Sequence, residues 1–165
     1  MVNQKTAVAL TGRSGEELEE YKKLLLKLNN EVVAAAPEDL LINTHVCRGN
    51  YHSTFFSSGA YDSVAELLFG EENVNAYYLE YDDERSGGFA PLAKVTGDKK
   101  VVLGLITTKT PELEDREKVI NRIHQAAKYI PLDRLYLSPQ CGFASCEIGN
   151  KLTEEEQWEK LRLVK

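Results

Sequence analysis

The sequence predicts an α/β protein built on a parallel sheet. Strand-like runs alternate with helical patterns four times along the chain, and the runs at 39–47 and 100–108 are apolar throughout rather than alternating. Strands apolar on both faces and joined through helices form parallel sheets with right-handed crossovers. Four such units fit either a small open doubly wound sheet or half of an eight-stranded barrel. The chain has 165 residues, short of the ~250 typical of a complete (β/α)8 barrel, so length alone favours the open sheet. No repeat, linker or low-complexity tract divides it.

The elements follow in order. Residues 14–36 predict a long helix, with Ser14 and Glu17 as a capping box, Leu18, Leu25, Leu28 and Val32 at roughly helical spacing, and Pro37 closing it. The Leu and Ala stripe of 24–36 is expected to be core or a barrel interface. Residues 39–47 predict the first strand. A second helix spans 60–70, ended by Gly70. The aromatic run 75–81 is the second strand and 100–108 the third. A helix over 110–130 takes Thr110 as N-cap and Pro111 at its first position. Residues 133–138 form the fourth strand, and 153–165 a final helix capped by Thr153 with Glu156.

Composition narrows the function. Hydrophobic residues are 42% and charged residues 28% of the chain, as in a soluble globular protein. A formal charge of −6 argues against nucleic acid or an anionic membrane surface as partner, since both require a concentrated basic face. No run approaches the ~20 apolar residues of a membrane span, and the start has no signal-peptide layout. Three cysteines argue against a disulfide framework, leaving thiols free for metal or chemistry. The cytoplasm is the expected compartment.

Ligands of parallel α/β sheets bind at the carboxyl ends of the strands. The first strand ends in His45 and Cys47, two apart and therefore on one side. The second ends at Glu80, and the fourth runs into Cys141. One nitrogen, two sulfurs and one carboxylate oxygen on one rim form a donor set suited to Zn2+. Each residue also has a plainer reading. A His beside a Cys on an apolar strand serves packing more often than ligation, and a free Cys is often an inert buried residue. Arg85, in the loop that follows, could pair with Glu80. Spacing alone leaves both readings open.

Three stretches, INTHVCRGN (42–50), YLEYDDERSG (78–87) and LYLSPQCGFAS (135–145), together resemble the carboxyl-terminal catalytic domain of cobalamin-independent methionine synthases. The resemblance is closest to the short homologues that carry this barrel alone, and is clearest from about residue 30 onward. It implies a catalytic zinc held by His45, Cys47, Glu80 and Cys141. It also turns the fold expectation to the carboxyl-terminal half of a (β/α)8 barrel, with 1–165 as a single partial domain cut off upstream and inside its last helix. The implied reaction of a full-length protein moves a methyl group from a methylated folate to homocysteine, giving methionine. Open half-barrel edges imply self-association. In the family a His precedes Ser-Pro after the next strand and serves proton delivery; here the matching residues are Lys109, Thr110 and Pro111. A lysine ammonium is a far weaker acid than an imidazolium, which opens alkyl transfer to another small thiol as an alternative, beside a catalytically silent, self-associating half-barrel.

Other residues are expected to stay outside the site. Cys146 reads as a loop cysteine, and His52 and His124 as solvated or packed. Arg48 could hold a substrate carboxylate or pair with Asp83 or Glu84. GRSG (12–15) lacks the Lys-Ser/Thr of a phosphate loop. No catalytic residue is singled out beyond the metal ligands.

Overall fold

The computed structural model describes residues 3–165. Helices α1 (Gln4–Thr11) and α2 (Gly15–Ala34) lead into strand β1 (Asn43–Val46). Helix α3 (Ala65–Glu71), strand β2 (Ala76–Glu80), strand β3 (Lys100–Ile106), helix α4 (Arg116–Ala126), strand β4 (Leu135–Pro139) and helix α5 (Glu154–Val164) follow, with short 3-10 turns between them. The four strands form one sheet in the order β1-β2-β3-β4, and every pair is parallel. The α/β fold with four parallel strands is thus as the sequence predicts.

The two faces of the sheet differ. Tyr77, Leu79, Val101, Leu103 and Leu105 point to one side, where they meet Tyr61, Phe69 and Leu92 in the core. Aromatic rings run through this layer, with centroids 5.8 Å apart for Tyr61–Phe69, 5.1 Å for Phe69–Tyr77 and 4.6 Å for Tyr81–Phe89. On the opposite face the register aligns His45, Tyr78, Val102 and Tyr136 in one row, then Glu80, Gly104 and Ser138 in the next. Tyr78 and Tyr136 are exposed there, while Val102 between them is buried.

Several local expectations are corrected. Ser14 occupies the N-cap of α2 but makes no side-chain cap bond, so the capping box does not form. Leu18 is buried, whereas Leu24, Leu25, Leu28 and Val32 are exposed, so that stripe is not core. Gly70 lies inside α3, which runs on to Glu71. Helix α4 starts after Asp115, whose side chain accepts from the Lys118 N–H at 2.9 Å; Thr110 and Pro111 lie in the preceding loop. Helix α1 was not anticipated, although Asn3 caps it and Gly12, at φ 68, ends it. The Thr153–Glu156 capping box of α5 is present.

Candidate metal centre

Each donor reaches the site for a local reason. His45 and Cys47 alternate out of β1 and its end on the exposed face. His45 Nδ1 lies 3.0 Å from the Tyr78 carbonyl, so the N–H at Nδ1 donates there and the Nε2 lone pair faces inward. The Gly49 N–H donates to Cys47 Sγ at 3.2 Å. Glu80 ends β2 fully buried, with no exposed surface. Cys141 follows β4, and its approach depends on Gly104: a Cβ there would lie 2.8 Å from the Leu79 carbonyl and 3.1 Å from Gln140 Cα.

The four donors converge. His Nε2 or Nδ1, two Sγ atoms and one carboxylate oxygen all lie within 4.8 Å of one another. Cys47 Sγ and Cys141 Sγ are 3.7 Å apart, as are His45 Nε2 and Glu80 Oε1. Tetrahedral ligands at the usual Zn–S and Zn–N lengths stand roughly 3.3–3.8 Å from each other. The arrangement therefore fits a tetrahedral cation with mixed sulfur, nitrogen and oxygen ligands. Cys146 is not in the cluster.

Charge is balanced by hydrogen bonds. Glu80 Oε1 accepts from the Arg48 N–H at 3.0 Å and from the Cys141 thiol, and Oε2 accepts from Gln140 Nε2 at 2.9 Å. Burial opposes ionisation of Glu80, but those donors, Cys141 foremost, outweigh it and hold the carboxyl below its ordinary range. Burial, then the bond to Glu80, pushes the Cys141 thiol far above the ordinary thiol range. Without a cation the thiol therefore keeps its proton and donates it to the carboxylate, in the place where a bound cation would deprotonate it.

Residues beside the ligands resolve differently from expectation. Arg48 pairs with neither Asp83 nor Glu84, and its guanidinium is already engaged within the protein. It is buried, donates to the Gly59 carbonyl at 2.7 Å, Tyr61 Oη at 2.7 Å and the Glu80 carbonyl at 3.1 Å, and stacks over the Tyr61 ring. Arg85 pairs with Asp82 and Asp83, not with Glu80. His52 and His124 lie away from the four donors. Sequence reasoning missed Gln140 and Asn150, which are polar and buried near Cys141, and the half-buried Asn50 that bonds to Asn150 and Gly142. The signal available was a Gln placed directly before the candidate ligand.

Comparison with known proteins bears on the whole arrangement. Residues 19–160 match the family described as cobalamin-independent synthase, catalytic domain. The Bacillus subtilis protein YxjG, itself uncharacterized, is 51% identical over 151 residues, which is 91% of this chain and 40% of that protein. A Listeria monocytogenes structure described as a vitamin-B12-independent methionine synthase is 41% identical with a TM-score of 0.66, over 93% of this chain and 41% of that one. A B12-independent methionine synthase from Shewanella, in complex with selenomethionine, has a TM-score of 0.67 at 20% identity, over 88% of this chain and 42% of that one, a likeness of fold alone. The chain spans about 40% of the length of its Bacillus relative. Since the matched residues include β1 through β4 and all four converging donors, the chain belongs to the cobalamin-independent synthase family, within the catalytic domain.

Proposed function

We propose that this chain supplies the zinc-holding, thiol-activating part of an S-methyltransferase that moves a methyl group from a methylated folate to homocysteine. The S–CH3 bond of methionine forms as the N–CH3 bond of the donor breaks; the thiol gives up its proton and the folate nitrogen gains one. The observation that carries this is the convergence of His45, Cys47, Glu80 and Cys141 within 4.8 Å, in a family of cobalamin-independent synthases.

Zn2+ held there would supply Lewis acidity toward a substrate thiol that is mostly protonated at neutral pH, favouring its thiolate form. Two thiolates and one carboxylate give the ligand set three negative charges, so electron density stays on the activated sulfur. His45 is oriented by the Tyr78 carbonyl, and Cys47 by the Gly49 amide. Glu80 would be the one oxygen donor, beside the His45 nitrogen and the sulfurs of Cys47 and Cys141, among the residues that hold the ion.

The test loads the purified chain with Zn2+ under reducing conditions and measures bound metal after removing the excess. About one zinc per chain is expected, with strong loss in Cys141→Ser. A folded chain that takes up no zinc would count against the reading. A second reading, alkyl transfer to another small thiol, is favoured by Lys109, whose ammonium is engaged by Gln140 and Asn50. Product analysis with homocysteine beside other thiols separates the two.

A further inference from the structure

Lys109 is a buried cation, 7% exposed, in the loop after β3. Among the described residues no carboxylate lies within ion-pair distance of it. Its Nζ donates to Gln140 Oε1 at 3.2 Å and Asn50 Oδ1 at 3.4 Å. An ammonium carries donors only, so both amides must turn their oxygens toward it. Gln140 then has only its NH2 group left for Glu80, and Nε2 donates to Oε2 at 2.9 Å. The reverse amide orientation would set NH2 against NH3+ and oxygen against carboxylate, both repulsive in a buried space.

We propose that Lys109 is a positioning residue for the metal centre, acting through the Gln140 amide to hold Glu80 to one ligating oxygen. With Oε2 engaged by Gln140, Oε1 is the atom that faces Cys141, the Arg48 amide and His45 Nε2. A carboxylate bound through both oxygens would occupy the position that a substrate thiol requires. The same lysine fixes Asn50, whose Nδ2 donates to the Gly142 carbonyl at 2.9 Å and whose Oδ1 also accepts from Asn150 at 2.9 Å. Cys141 is therefore flanked on both sides, at Gln140 and Gly142, by groups that Lys109 orients. The inference rests on the zinc reading above and adds a role to a residue that does not touch the metal.

The experiment uses the full 165-residue chain, with Zn2+ affinity read by chelator competition and Co2+ as a spectroscopic probe. Wild type is expected to show the intense visible absorption of tetrahedral Co2+. Lys109→Met and Gln140→Leu are each expected to weaken Zn2+ binding by about 10–100-fold, the usual effect of losing a partner behind a ligand. Both should dim and shift the Co2+ bands as Glu80 gains a second contact, with thermal unfolding of the metal-free chain still cooperative. The double variant should be no weaker than the worse single, since one residue acts through the other. Lys109→Met with unchanged affinity and spectrum overturns the proposal, as do losses that multiply in the double variant. A wild-type chain that binds neither ion removes the zinc reading and this inference with it, whereas binding by wild type and variant alike removes this inference alone.

Discussion

Arg48 donates its backbone N–H to Glu80 Oε1 while its guanidinium holds the Glu80 carbonyl, Gly59 and Tyr61. One residue thus braces both the side chain and the backbone of a buried ligand, and its position directly after Cys47 explains how β1 and β2 keep their donors in register. That role was not legible in the sequence, because the partners are backbone carbonyls and a tyrosine 13 residues away. The ligands themselves were legible, since strand alternation and the strand-end rule need only local order. Glu72 presents the opposite case, a buried carboxylate with little support. Oε1 is 3.4 Å from Asn29 Nδ2 and Oε2 has no hydrogen-bond partner among the described residues, and burial raises the carboxyl pKa above the ordinary 4.5. Between the unfolded and folded values the folded state binds more protons, so stability falls as pH rises through that window. Urea unfolding should show Glu72→Gln more stable than wild type above the window, with the difference vanishing below pH 4.5. A difference independent of pH would mean that the carboxylate's charge is not the cause.

At the scale of elements, β3 organises the site although it carries no ligand. Gly104 gives Glu80 and the end of β4 room to meet, and the sheet register shifts between Gly104 and Ile106, where the Gln140 N–H finds the Ile106 carbonyl at 2.9 Å. Gly104→Ala should cost about 1–3 kcal/mol in urea unfolding, the usual penalty for overpacking. It should also weaken metal binding, because the added Cβ crowds the backbone of Leu79 and of Gln140, the neighbours in sequence of Glu80 and Cys141. Unchanged zinc affinity in a destabilised variant would show that β4 adjusts without moving Cys141. Strands β2, β3 and β4 and helix α5 followed their sequence signals, whereas β1 begins only at Asn43 instead of 39 and is not buried, with Leu40 and Leu41 exposed ahead of it. Helix α4 did not follow its signal, and the cause is tertiary. Lys160, fully buried on α5, donates to the Glu112 carbonyl and both Glu114 oxygens, and Glu114 Oε1 accepts the Thr107 N–H at 2.7 Å. That clamp outweighs the helix-start signal of Thr110 and Pro111 and keeps 107–114 as a loop, which carries Lys109 to the site.

Across the whole molecule, the sheet has two ends, since β1 pairs only with β2 and β4 only with β3 among the described strands. Leu24, Leu28, Val32, Leu40 and Leu41 are exposed, and the chain spans only about 40% of a relative that it matches over 91% of its own length. Unpaired strand edges beside exposed apolar side chains favour association. Sedimentation velocity is therefore expected to show assembly that grows with concentration, and a monomer at every concentration would contradict that expectation. The parallel order was readable from alternating elements, but the exposure of the α2 stripe was not. A periodic pattern states which residues seek a partner and not whether the same chain provides one.

The central claim is the ligand set, and X-ray absorption at the zinc edge of the zinc-loaded chain tests it most directly. The account predicts two sulfur scatterers at about 2.3 Å and two nitrogen or oxygen scatterers at about 2.0–2.2 Å, with one sulfur lost in Cys141→Ser. A shell without sulfur, or one unchanged by Cys141→Ser, would contradict it.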